Sequence, residues 1–475
     1  MILPLESRCM PELVILWTDA LIFLLLVLAV GFGLLASRRE HLRTPWRQVA
    51  RSRIGMGALV VLSFYVLIGL LDSIHYLPAD NGEPGAGSAE VLSVFDWMVT
   101  PIRTRQEKSY SAPLATHLYA KESIELADGR TSRAYPRLKY GGAHLQDPTA
   151  DWATDLLAHI VRGVLIGLLG WALIASLLVW QLARRQAVGF RAMLLQILAF
   201  DTQVPWRTLL ITLGVVLLLG FVAFTLGSSY HLLGTDKVGE DVFYQALKSI
   251  RTGLLIGTLT TLVMLPAAIL LGIMAGYFRG WVDDLIQYSY TTLNSIPGVL
   301  LIAAAILMMQ IYISNHEADF ASLTERADLR LLFLCIILGV TSWTGLCRLL
   351  RGETFKLREL EYVQAAQAFG VGHFTIIGRH ILPNVLHIVL ITLVLDFSGL
   401  VLAEAVLSYI NIGVDPTMNS WGNMINSARL EMAREPIVWW SLVAALFFMF
   451  TLVLAANLFS DVVRDAFDPR LRNSR

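Results

Sequence analysis

Residues 357–384 read LRELEYVQAAQAFGVGHFTIIGRHILPN. The stretch interrupts two long apolar runs and is itself half apolar, a texture that neither a membrane span nor a plain loop has. From Arg358 to Phe369 most residues are strong helix formers, and Gly370 supplies the backbone freedom that ends a helix in the left-handed conformation. A short surface helix is therefore predicted over 358–370. Ala365, Ala366 and Ala368 give it a narrow profile, while Tyr362, Val363 and Phe369 offer apolar anchors for a groove on a partner. A second amphipathic helix is predicted from His373 to Leu382, running into Pro383, which opens the next span as a first-turn proline does.

The surrounding sequence sets this segment in a membrane. Of 475 residues, 56% are hydrophobic and 16% charged, too apolar a balance for a chain that keeps a wet surface. Runs long enough to cross a bilayer as helices lie near 13–36, 55–71, 156–182, 206–227, 252–277, 295–313, 331–350, 385–409 and 437–460. The expected fold is an all-α polytopic membrane protein with about nine transmembrane helices. The first run is too long for a secretory signal and lacks a basic segment before it; its arginines follow instead, from Arg38 to Arg53. Basic clusters at Arg184–Arg191, Arg351–Arg358 and Arg464–Arg472 fall on the same side of the alternation, which makes that side cytoplasmic. The opposite loops are mixed or acidic, as at Glu317, Asp319, Glu325 and Asp328.

Four regions follow. Residues 1–71 hold two spans, 72–154 form a polar segment expected to be a small external domain, and 155–204 hold a third span and a cytoplasmic linker. Residues 205–475 form a six-span core. Strand-like alternation in YPRLKYGG, residues 135–142, predicts short β elements in the external segment. Gly253 with Gly257 and Gly272 with Gly276 read as close helix packing, and Pro266 and Pro297 as kinks. Formal net charge is zero, so no general attraction for a polyanion exists. Cys9, Cys335 and Cys347 have no disulfide or metal spacing, and His231, His373, His380 and His387 have no ligand spacing, so no metal site is expected.

The segment 357–384 resembles the EAA loop of binding-protein-dependent ABC importer permeases, with Ala365, Ala366, Gly370, Leu382 and Pro383 at the family's spacing. Gln364 stands where the leading Glu is usual, and His380 where an apolar residue is. RHILPN, with Glu361 and Tyr362, is similar to the dipeptide, oligopeptide and nickel branch. HLLGTDKVGEDVFYQALKSIRTGL, residues 231–254, and AEAVLSYINIGVDPTMNSWGNMI, residues 403–425, resemble further segments of that branch's C-type subunit. The resemblance covers roughly residues 205–475; the three earlier spans lie outside it.

What the resemblance implies is a permease subunit in the bacterial cytoplasmic (inner) membrane, forming half of a translocation pathway, with peptides as the implied cargo class. Glu361, Tyr362, Ala365, Ala366, Gly370 and Pro383 would form the ATPase-coupling element. The implied partners are a homologous second permease subunit, two ATP-binding subunits and an external solute-binding protein. No phosphate-cradling G-x-x-x-x-G-K-[ST] occurs, so the chain is expected to be non-catalytic, with no cofactor of its own and ATP held by the partner subunits. The alternative is a proton-driven secondary transporter using Asp396 and Glu404, carboxylates in or near one span and possible pathway residues. Arg348 and Arg351 read as snorkelling anchors, and Trp421 as an interfacial anchor or a docking residue on a short external helix.

Overall fold

Lipid offers no partner for backbone polar groups, so each long apolar run closes its own hydrogen bonds as a helix. The computed structural model describes residues 12–38, 40–78, 91–125, 131–199, 202–316 and 322–467, and these are mostly helical. In chain order the helices are α1 (Trp17–Arg38), α2 (Glu40–Arg51), α3 (Arg53–Asp72), α4 (Val94–Met98), α5 (Thr100–Arg103) and α6 (Trp152–Gln186). Next come α7 (Phe190–Leu198), α8 (Trp206–Gly227), α9 (Val242–Phe278), α10 (Trp281–Ser295), α11 (Gly298–Asn315) and α12 (Leu323–Ser342). The last are α13 (Thr344–Arg358), α14 (Glu361–Ala368), α15 (His373–Ile376), α16 (Leu382–Tyr409), α17 (Trp421–Glu431) and α18 (Trp440–Phe467). The strands are β1 (Glu12–Val14), β2 (His75–Leu77), β3 (Leu92–Ser93), β4 (Glu122–Glu125) and β5 (Thr131–Ala134).

Among the described residues, eight helical segments are long and apolar enough to cross a membrane. Helix α1 adds a shorter apolar stretch, Trp17–Gly31, where the first of the nine spans is expected. The chain is a multi-pass membrane protein. Two expectations need correction. Pro266 sits inside α9, but Pro297 kinks no helix: it precedes α11 as its cap residue. YPRLKYGG is not a strand. β5 lies just before it, and Arg137 makes only an isolated bridge to His117. The reason is a contact from elsewhere in the chain: the N–H groups of Lys139, Tyr140 and Gly141 donate to the Glu107 carboxylate at 2.9, 2.8 and 3.2 Å, and so are not free for a ladder. Cys9, Arg39, Glu317, Asp319, Arg470 and Arg472 lie outside the described residues.

The chain divides into two compact units. The first comprises Met1–Val14, Trp46–Thr252 and Asn419–Phe459. Within it, α6 and α8 pair, and the Trp171 indole N–H donates to the Leu210 carbonyl at 2.7 Å. The stretch read as a linker carries α7, which seats Met193 and Ile197 against Val179 and Ala183 of α6 and Leu210 of α8. β1, β2 and β3 form an antiparallel sheet, and β4 and β5 a hairpin.

The segment 72–154 is fastened to the α8–α9 connection by a buried ionic triad. His231 Nδ1 lies 2.8 Å from Asp241 and its Nε2 lies 3.4 Å from Glu107. Burial opposes charge on His231, but the hydrogen bonds of Asp241 and Glu107 outweigh it and hold its pKa up to about 9. Burial likewise opposes the Glu107 carboxylate, yet His231 and the three backbone N–H groups bring it down to about 2. Trp440 donates to the Thr235 carbonyl at 3.0 Å, and Tyr119 to the Ile437 carbonyl at 3.1 Å.

The second unit comprises Ile15–Pro45, Gly253–Met418 and Ser460–Arg475. Here α1 docks on α12, where Asp328, almost fully buried, accepts from the Thr18 backbone N–H at 3.1 Å and from its hydroxyl. A carboxylate at the first turn of α1 complements the positive end of that helix. Helices α9 and α13 pack backbone to backbone: a Cβ on Gly276 would fall 2.7 Å from the Arg351 carbonyl oxygen, and one on Gly272 2.8 Å from that of Cys347. Of the spaced glycines read from sequence, Gly272 and Gly276 serve this approach, whereas Gly257 faces the Phe397 ring.

Candidate functional site

The segment 358–370 is helical in two pieces. Helix α13 runs out at Arg358, Glu359 and Leu360 form a break, and α14 spans eight residues, Glu361–Ala368. The predicted start at Arg358 is thus three residues early. Leu360 is extended and caps without a side-chain bond, while Glu361 places a carboxylate in the first turn, where the helix dipole favours it. At the far end Gly370 has φ +74°, and the Val371 N–H reaches back to the Ala366 carbonyl at 3.1 Å. This is the left-handed glycine stop expected from sequence.

The anchors are sorted by the seat beneath them. Val363 is fully buried, in a cluster with Leu350, Ile376, Ile381 and Val385, and Ala366 packs against the same cluster. Val363 therefore anchors α14 to its own chain, where the sequence suggested a partner's groove. Burying that side chain contributes about 1.5–3 kcal/mol. Phe369 and Phe374 instead stand 87% and 86% exposed, and Tyr362, Ala365 and Ala368 face outward as well. Two aromatic rings left this open beside a helix lined with alanine form an exposed apolar surface.

The turn after α14 leads into α15 and then a wide π turn, Ile377–Ile381, before α16. The predicted second helix is therefore continuous with the span it precedes. Pro383 lies in the first turn of α16, and the π turn supplies the irregular bonding that a proline requires. Asn384 donates to the Tyr362 hydroxyl at 3.1 Å, which ties the start of α16 to α14. Glu361, Tyr362, Ala365, Ala366 and Gly370 thus share one helix and its stop, and Pro383 is brought near them through Asn384.

Sequence reasoning missed the polar frame of this site. Arg351 is no simple snorkelling anchor: it makes a two-pronged ion pair with Asp283 of α10 at 2.5 and 2.7 Å. Arg348 lies 5.9 Å from the Tyr290 ring. Arg279, just beyond α9, pairs with Glu359 in the break before α14. The opposite charges of Arg279 and of Asp283 and Asp284, close together in the sequence, were the available signal.

The other singled-out residues take different roles. Glu404 is buried and accepts from Ser408 at 2.7 Å, one helical turn on. Asp396 is eight residues earlier on α16, about 12 Å along the axis, so the two carboxylates do not form a pair. Trp421 is neither an interfacial anchor nor a docking residue, because it is 1% exposed. Its indole N–H donates to the Ala246 carbonyl at 3.0 Å, and Tyr65 meets it edge-on.

Residues 268–473 match the family described as binding-protein-dependent transport system inner membrane component, a match that includes all of 357–384. The glutathione transport system permease protein GsiD of Pectobacterium atrosepticum is 32% identical over 249 residues, 52% of this chain and 75% of that protein. The chain belongs to this permease family. The oligopeptide permease protein OppC of Haemophilus influenzae is 30% identical over 51% of this chain and 71% of its own length. The dipeptide permease protein DppC of Bacillus subtilis is 28% identical over 52% and 70%. Such relatives place the chain in the peptide branch of the ABC importer permeases, as 357–384, 231–254 and 403–425 suggested.

Proposed function

We propose that the chain is the permease subunit of an ATP-driven importer for peptides in a bacterial inner membrane, with α14 and its glycine stop as the contact for a separate ATPase. The carrying observation is the exposure of Phe369 and Phe374 beside a helix whose other face is seated by Val363. A homologous second permease subunit would complete the pathway, two ATP-binding subunits would hold ATP, and an external solute-binding protein would deliver the cargo. Residues 205–475 would be the transport core and 72–154 an external domain. Closure of the ATPase pair would push both coupling helices and exchange inward-facing for outward-facing states. The separation of Asp396 from Glu404, and the tie between Glu404 and Ser408, support this reading over a proton-driven one.

Energetics test the assignment first. The purified chain alone is expected to hydrolyse no ATP, and reconstitution with its ATPase and second permease subunits to give hydrolysis stimulated by loaded binding protein. Robust hydrolysis by the chain alone would contradict the proposal. Orientation is a second test. Cysteines at exposed Ser132 and Gln186 are expected to label from opposite faces of intact cells, Ser132 from outside. Labelling of both from one face would overturn the span order.

A further inference from the structure

Tyr277, in the last turn of α9, is 3% exposed and makes contacts that packing alone does not require. Its hydroxyl lies 2.9 Å from His373 Nδ1 at the start of α15 and accepts from the Gln367 amide of α14 at 3.4 Å. Its carbonyl accepts from Arg358, the last residue of α13, at 2.7 Å. One residue of a membrane helix thus touches the elements before, within and after the short helix. A phenylalanine would fill the same apolar seat. The hydroxyl, once buried, needs partners, and both of its side-chain partners belong to the segment that carries α14.

We infer that Tyr277 is a positioning residue that carries displacement of α14 into α9. Moving α14 and α15 together without α9 strands a buried hydroxyl, so the segment and α9 are held in register. The end of α9 cannot slide freely on α13 either, because a backbone contact at Gly276 locks the two helices. The pair of Arg279 with Glu359 closes the same junction from its exposed side. Helix α9 then continues for 37 residues, about 55 Å, enough to carry a shift through the bilayer.

The inference rests on α14 being the coupling element, and the experiment separates the two. In the complete transporter reconstituted in liposomes, Tyr277→Phe keeps the ring and removes the hydroxyl. ATPase co-purification is expected to match wild type, while peptide uptake per ATP hydrolysed falls about tenfold. Gln367→Leu is expected to lower the same ratio, and the double variant to be no worse than Tyr277→Phe, as for partners in one contact. A purely structural role would lower abundance or thermal stability and leave the ratio intact. An unchanged ratio in Tyr277→Phe overturns the inference; if that variant fails to accumulate, an unchanged ratio in Gln367→Leu does so. Should Ala365→Trp abolish uptake while these ratios stay at wild type, only the role of Tyr277 fails. Normal uptake in Ala365→Trp would instead remove the coupling assignment itself.

Discussion

Replacing Ala365 by Trp is expected to abolish uptake while the subunit stays in the membrane at normal abundance. Ala365 is exposed on the outward face of α14, so the indole would not disturb the seat formed by Val363 and Ala366. It would stand where a partner must approach, and overlap of a bulky ring in a narrow groove costs more than an interface of this kind can offset. Gly370→Val is expected to fail for a different reason. No atom lies within 4 Å of a Cβ placed there, so nothing clashes, and the penalty is in the backbone at φ +74°. A β-branched residue in that conformation costs about 1–2 kcal/mol or more, enough to unwind the stop and misplace Phe369. Ala365→Trp should lose the ATPase on purification, whereas Gly370→Val should retain part of it and still not transport. Wild-type uptake in both, at normal abundance, would contradict the coupling role.

Glu107→Ala is expected to release the segment 72–154 from the α8–α9 connection. The carboxylate holds three backbone N–H groups and the His231 ring, and removing one partner of a buried ionic group costs about 3–5 kcal/mol. Limited proteolysis of this segment in the purified protein would measure it, as cleavage much faster than in wild type. The same triad sets a pH dependence. His231 has a folded pKa raised to about 9, so its contribution is complete below its ordinary value and is lost as pH rises through about 9. Glu107 has a folded pKa lowered to about 2, so its contribution is complete above its ordinary value and is lost as pH falls through about 2. Protease resistance should therefore be greatest near pH 4.5–6.5, the window between the ordinary Glu and His values, and decline toward pH 9. In Glu107→Ala the acid side of that profile should flatten. An unchanged profile would show that the triad does not hold the segment.

What sequence made legible was local. Gly370 after a run of helix formers marks its own stop, and the apolar runs mark their own helices, because those signals lie within a few residues of the structure they specify. The missed features are contacts between residues far apart in the chain. Trp421 looks like a surface residue until Ala246, 175 positions earlier, accepts its indole N–H. Arg351 looks like a topology signal until Asp283, 68 positions away, pairs with it. Val363 and Phe369 are equally apolar in sequence, and only the seat formed by Leu350, Ile376 and Val385 decides which faces inward. The strand expected at 135–142 failed because Glu107, about 30 residues upstream, captures the N–H groups a ladder would use.

Cross-linking from Phe369 tests the central claim most directly. A photoreactive residue at position 369, the most exposed ring of the segment, would be introduced in the assembled, transport-competent complex and illuminated. The expected product joins this chain to the ATPase subunit, and its yield changes when ATP is bound. A complex that still transports and yet gives no product with the ATPase from position 369 would contradict the account.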